Sequence, residues 1–251
     1  MDLGLRGKGA VITGGSKGIG RAIALGLARE GAGVAICARG ETALRETEAE
    51  LRALDVPVLA QSCDVADAAA LDRFLDAAKA ALGRIDILVS NASAIAFGND
   101  EAAWKSSIDI DVMAAVRSTW KVVPDMTASG GGAIIYISSG SGLEAGSPPA
   151  YAAAKAALIS LSKTMAVALA PNNIRINVVL PGSIEFPGGV WASIKQGSRP
   201  MYDAVLATIP SGRMGLAEEV ADTVVFLASA RANWVRGAAV RVDGGQGKAN
   251  L

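Results

Sequence analysis

Seven short apolar runs punctuate the chain, at 9–13, 33–38, 57–62, 85–89, 133–138, 174–180 and 238–242. Each is nearly continuous in apolar, often β-branched residues, the pattern of strands buried on both faces. Between them lie Ala/Leu-rich stretches of helical period, at about 18–30, 41–54, 67–82, 100–128, 149–170 and 217–229. Strand and helix alternating at this rhythm predict one α/β domain over 1–251, a doubly wound parallel sheet with right-handed crossovers and helices on both faces.

Ligands of such sheets bind outside the carboxyl ends of the strands. Thr13, Arg39, Asp64, Asn91, Ser139 and Pro181 all fall at or just past those predicted ends. The stretch 181–215 lacks clean periodicity and holds Pro181, Pro187, Pro200 and Pro210 with Phe186, Trp191 and Tyr202. A long aperiodic segment in a compact domain reads as a lid or substrate loop, the alternative being a pair of short surface helices.

Composition narrows the function classes. Of 251 residues, 51% are hydrophobic and 19% charged, which supports a sizeable core. Lys plus Arg and Asp plus Glu balance at 24 each, so no basic surplus points to nucleic acid or an anionic membrane. The start has no basic segment followed by an apolar one, which argues against secretion, and apolar runs such as 165–170 look too short to span a bilayer. Cys37 and Cys63 form neither a disulfide framework nor a metal cluster, and read as small buried hydrophobes of a protein from a reducing cytoplasm.

Two constellations carry chemistry. The first is Tyr151-Ala-Ala-Ala-Lys155 in a chain without histidine. Residues i and i+4 share a helix face, so phenol and ammonium can enter one cleft, and the cation favours phenolate. Tyr151 is therefore a candidate general acid/base. The second is Thr13-Gly14-Gly15-Ser16-Lys17-Gly18-Ile19-Gly20 between the first strand and first helix. Glycines let backbone approach a pyrophosphate, and the helix N-terminus binds its charge. The second strand ends at Arg39, where a carboxylate would select NAD through its ribose 2′-hydroxyl. Arg39 and Lys17 would instead attract a 2′-phosphate, which points to NADP.

These residues resemble the short-chain dehydrogenase/reductase family over nearly the whole length. The glycine loop is similar to its T-G-x-x-x-G-x-G cofactor motif; Cys63-Asp64-Val65 to its adenine segment; Ser90-Asn91-Ala92-Ser93 to N-N-A-G; Ser139, Tyr151 and Lys155 to its catalytic core; Pro181-Gly182-Ser183-Ile184 to the segment that seats the carboxamide; and Asp243-Gly244-Gly245 to its closing turn. The resemblance implies a Rossmann-like sheet and hydride transfer between nicotinamide and a carbonyl or secondary alcohol. Tyr151 would exchange the proton, Lys155 would bind the nicotinamide ribose, and a serine would hold the substrate oxygen. Gly14, Ser16, Lys17, Gly18, Ile19, Gly20, Arg39, Asp64, Val65, Asn91, Ala92, Tyr151, Lys155, Pro181, Gly182 and Ile184 would hold the cofactor, with no metal. Members are usually homotetramers or homodimers built partly on the helices carrying Tyr151 and its predecessor.

Three departures stand out. Asp111 occupies the position of a family Asn and would partly cancel the pull of Lys155 on Tyr151, weakening turnover near neutrality. The S-x-x-G pattern selects Ser139, 12 positions before Tyr151 (151 − 139), whereas Ser138 restores the common spacing. Phe186 stands where a Thr often contacts the carboxamide. The leading expectation is an NADP-dependent reductase or dehydrogenase of a mid-sized, fairly apolar carbonyl or alcohol (3-oxoacyl, steroid-like or another ketone), with neither a nucleic acid nor a membrane as partner. A non-catalytic NADP-binding protein, or an epimerase or dehydratase on the same fold, stays open beside it.

Overall fold

The computed structural model describes residues 2–249. Among them the strands are β1 (Gly9–Thr13), β2 (Gly33–Ala38), β3 (Val58–Ser62), β4 (Ile87–Ser90), β5 (Gly132–Ile137), β6 (Ile174–Pro181) and β7 (Ala239–Val242). All pairings are parallel, in the order β3-β2-β1-β4-β5-β6-β7. The chain reverses its direction of travel between β1 and β4, where Thr13 registers with Ser90. A crevice opens at such a switch point.

The continuous apolar runs are explained by two cores, one on each face. Alternate strand residues such as Ile12, Ile36, Val89 and Ile135 pack on α1 (Gly18–Arg29), α2 (Glu41–Arg52) and α9 (Ala217–Ala228). Their neighbours Val11, Cys37, Leu88 and Ile134 face α3 (Ala68–Leu82), α5 (Ala114–Ala128) and α6 (Pro149–Leu169). Side chains alternate across a strand, so both parities must be apolar when both faces are covered. Cys37 and Cys63 are buried and unbridged in the second core.

Three expectations need correction. The single helix expected over 100–128 is α4 (Glu101–Ser107), a π-helical turn at Ile108–Met113, and α5. The stretch 181–215, read first as a lid or substrate loop, takes the form of the alternative kept beside it, with the short helices α7 (Val190–Gly197) and α8 (Arg199–Leu206). Pro200 enters at the first turn of α8, where its missing N–H costs no helical bond. Tyr202, Ile209 and Met214 form a small core of their own with Trp191, Ile194 and Leu206, and such short pieces show little periodicity. Finally, the helix Pro149–Asn172, α6 with its closing 3₁₀ turn, is long and apolar enough to cross a membrane by length and composition alone. Unbroken apolar runs missed it because Lys155 and Lys163 interrupt them. Here the helix lies against β6 and the second core.

Candidate active site

The glycine turn joins β1 to α1 at the switch point. Gly14 has φ +67°, and a Cβ there would lie 2.9 Å from Ala92 Cα. A Cβ at Gly20 would overlap Gly14 O and lie 2.5 Å from Asn91 Nδ2. A Cβ at Gly18 would run into the Phe186 ring. Glycine is thus required where Ala92, Asn91 and the Phe186 ring close on the turn, and α1 begins with first-turn N–H groups that have no helical acceptor. Asn91 donates from Nδ2 to Thr13 O and Gly14 O, both at 3.0 Å, so it holds the turn in shape from below. Thr13 Oγ1 accepts from the N–H groups of Asn91 and Ala92. Ser16 contributes its carbonyl to Thr47 Oγ1 at 2.9 Å.

Past the ends of β2 and β3 stand Arg39 and Asp64, both exposed, with Val65 buried beneath. Lys17 is exposed in the turn itself, and neither it nor Arg39 forms an ion pair among the described residues. A glycine turn at a helix N-terminus and two exposed cations without an ion pair fit an anionic dinucleotide.

Beyond β6, Pro181 and Ile184 are buried and Gly182 abuts the closing turn, where a Cβ would meet Asp243 at 2.7 Å. Gln246 Oε1 accepts from Ser183 N at 2.9 Å. Glu144, in the loop before α6, accepts from Arg241 and from the N–H of Lys248. These clamps were invisible along the sequence, because their partners lie 63 and 97 positions apart. Phe186 rests on the glycine turn and also lines a cavity of about 430 Å³ under α7 and α8, with Tyr202, Leu206, Arg213 and Met214. Ser139 and Tyr151 are not among the residues that line it.

The chemistry-bearing side chains meet at the carboxyl end of β5. Lys155 Nζ lies 5.6 Å from the centre of the Tyr151 ring, so the one-turn spacing does bring phenol and ammonium together. Ser138 is buried and its hydroxyl donates to Lys155 O at 2.7 Å, pinning α6 to the strand. Ser139 is half-buried; its Oγ accepts from Ser141 N at 3.2 Å, which leaves its own hydrogen to offer. Ser139 is therefore the serine available to a substrate oxygen.

Asp111 lies in the π-helical turn with its side chain fully buried. Oδ1 is 2.8 Å from Lys155 Nζ, an ion pair off the ideal hydrogen-bond direction, and Oδ2 accepts from Ala94 N at 2.9 Å. Lys155 Nζ also donates to Ile137 O at 3.0 Å. Burial, the largest influence on Lys155, pulls its ammonium down; Asp111 and Tyr151 more than reverse this and hold it above the ordinary lysine value. A π turn carries one extra residue, and nothing in the local sequence signals where it falls.

This dinucleotide cradle, with a Tyr–Lys pair across from it on one doubly wound sheet, defines a class. The chain belongs to the short-chain dehydrogenase/reductase family of oxidoreductases, whose bound nicotinamide cofactors supply or take up hydride. A family model described as Enoyl-(Acyl carrier protein) reductase matches residues 14–246. Dehydrogenase/reductase SDR family member 4 from Homo sapiens is 35% identical over 252 residues, 96% of this chain and 88% of that protein. A crystal structure of L-sorbose reductase from Gluconobacter frateurii complexed with NADPH and L-sorbose is 37% identical with TM-score 0.91, covering 99% of this chain and 100% of that one. A 7 alpha-hydroxysteroid dehydrogenase complexed with NADH and 7-oxo glycochenodeoxycholic acid is 32% identical with TM-score 0.90, covering 97% and 96%.

Proposed function

We propose that this protein is an NADP-dependent reductase or dehydrogenase acting on the carbonyl or secondary alcohol of a mid-sized, mainly apolar molecule. The observation that carries the reading is the convergence of Tyr151 and Lys155. Ser139 would hold the substrate oxygen, Tyr151 would exchange its proton, and Lys155 would bind the nicotinamide ribose. The preference for NADP rests on Lys17 and Arg39, two exposed cations beside the cradle and no carboxylate at the end of β2. The substrate class rests on the few charges along 181–215, namely Glu185, Lys195, Arg199, Asp203 and Arg213. Two unlinked thiols suit a reducing cytoplasm.

The test is a panel of ketones, sugars, steroids and 3-oxoacyl compounds, followed by the absorbance of reduced nicotinamide with NADPH and with NADH. Turnover should be lost about 100-fold or more in Tyr151→Phe. Arg39→Ala should raise KM for NADPH about tenfold while leaving that for NADH in place. Tight NADPH binding without turnover of any panel member would replace this reading with a non-catalytic cofactor-binding protein.

A further inference from the structure

A buried ammonium paired with a carboxylate is a different electrostatic object from an ammonium alone. Seen from a third group, the pair is a dipole rather than a net positive charge. Water is excluded here, with the Lys155 and Asp111 side chains 3% and 0% exposed, so the distinction is weakly screened. The carboxylate is also fixed, because Ala94 N–H holds its second oxygen. Asp111 and Tyr151 are the groups that act on Lys155. Of the other charges on the surrounding elements, Lys105 pairs with Asp109, Glu144 with Arg241 and Lys121 with Asp76, Arg117 and Lys163 donate to Ala66 O and Gly237 O, and Glu101 is exposed at the start of α4.

We propose that Asp111 is a positioning counter-ion that keeps Tyr151 a proton donor at neutral and mildly alkaline pH, so that the site is tuned to carbonyl reduction. This deepens the function proposed above and rests on Tyr151 being the proton-exchanging group. In reduction the carbonyl carbon would take the hydride that a reduced nicotinamide cofactor supplies, while the substrate oxygen gains the electron pair of the broken C=O π bond and takes the Tyr151 proton; the phenolate left behind is reprotonated from solvent. An ammonium that stays charged without Asp111 would favour phenolate, and pairing it with Asp111 cancels much of that pull; were Asp111 instead needed to keep the buried Lys155 charged, its removal would leave the Tyr151 step in place or raise it. Alcohol oxidation needs the phenol deprotonated at the start, so it becomes fast only at higher pH. The equilibrium of the reaction is unchanged; the pH range in which each direction runs fast is what moves.

The decisive variant is Asp111→Asn, which removes the charge and keeps the shape. The ligand-free protein is titrated by the ultraviolet absorbance of tyrosinate. The chain has three tyrosines. Burial pushes the Tyr136 phenol up to about 12, and Glu185 raises that of Tyr202, so the step lost in Tyr151→Phe belongs to Tyr151. In Asp111→Asn that step should move down by about one pH unit or more, and the fast range for alcohol oxidation should move down with it. A step that stays in place, or moves up, in a folded variant overturns the proposal. Asp111→Ser, which removes the charge with a smaller side chain, gives the same reading should the Asn variant not fold. Absence of turnover in the parent would defeat the proposed function yet leave this titration readable.

Discussion

Ser138 and Ser139 stand side by side, yet the fold uses their hydroxyls differently. The first is sealed in the core and tied to Lys155 O; the second has a hydrogen left to give. Ser139→Ala should therefore lower kcat by about tenfold or more, with a stability loss limited to its half-buried bond from Ser141 N. Ser138→Ala should keep most of the turnover and cost about 1 kcal/mol in thermal or denaturant unfolding. Equal kinetic losses in the two variants would show that this division of roles is wrong. Spacing to Tyr151 and the S-x-x-G pattern conflict in the sequence, and the hydrogen-bond partners decide between them. The same holds for Asp111. Its charge is plain in the sequence, but its 2.8 Å approach to Lys155 depends on a π-helical turn.

At the scale of elements, the glycine turn, α1 and α6 were legible because each carries a local pattern: glycine spacing, a 3.6 period, and an i,i+4 pair. The segment after β6 was legible only as two open alternatives, since α7 and α8 span 8 residues each and are held by contacts from elsewhere. Lys195 and the Tyr202 hydroxyl both bind Glu185, tying the two helices to the segment after β6, and Lys195 with Tyr202 holds the Glu185 carboxyl below its ordinary value. The next helix, α9, is capped by a similar device. Glu219 accepts from Leu216 N at 2.8 Å and binds the Arg213 guanidinium with both oxygens. Arg213, then that N–H, lower the Glu219 carboxyl from 4.5 to about 2. A carboxyl depressed in the folded state stabilises above its unfolded value, and the gain is lost as pH falls through the folded one. Glu219→Gln should thus lower Tm at neutral pH, with the difference from the parent shrinking between about pH 4.5 and 2. A constant difference across that window would dissociate the cap from the carboxylate charge.

The whole molecule poses a question that one chain leaves visible on its surface. Trp234 is 97% exposed, Trp120 on α5 63% and Val167 on α6 70%. Only 28% of the most apolar window in the helix Pro149–Asn172 is buried. Large exposed apolar side chains of this kind mark contact surfaces. We propose that α5, α6 and the Trp234 turn meet other copies of this chain, as a homotetramer or homodimer. Light scattering on the eluting protein should give a dimer or tetramer mass, and Val167→Glu should reduce it. A monomer at micromolar concentration would contradict the assembly.

The sequence by itself determined the sheet, the order of its elements, the phosphate turn and the Tyr151–Lys155 pair, because each is written in residues close together along the chain. Only the tertiary structure decided which serine hydroxyl is tied to Lys155 O, how closely Asp111 approaches Lys155, and what pins α7, α8 and the closing turn. Those outcomes depend on groups brought together from distant positions and on the water their packing excludes, and neither distance through space nor dryness is encoded in any local stretch of residues.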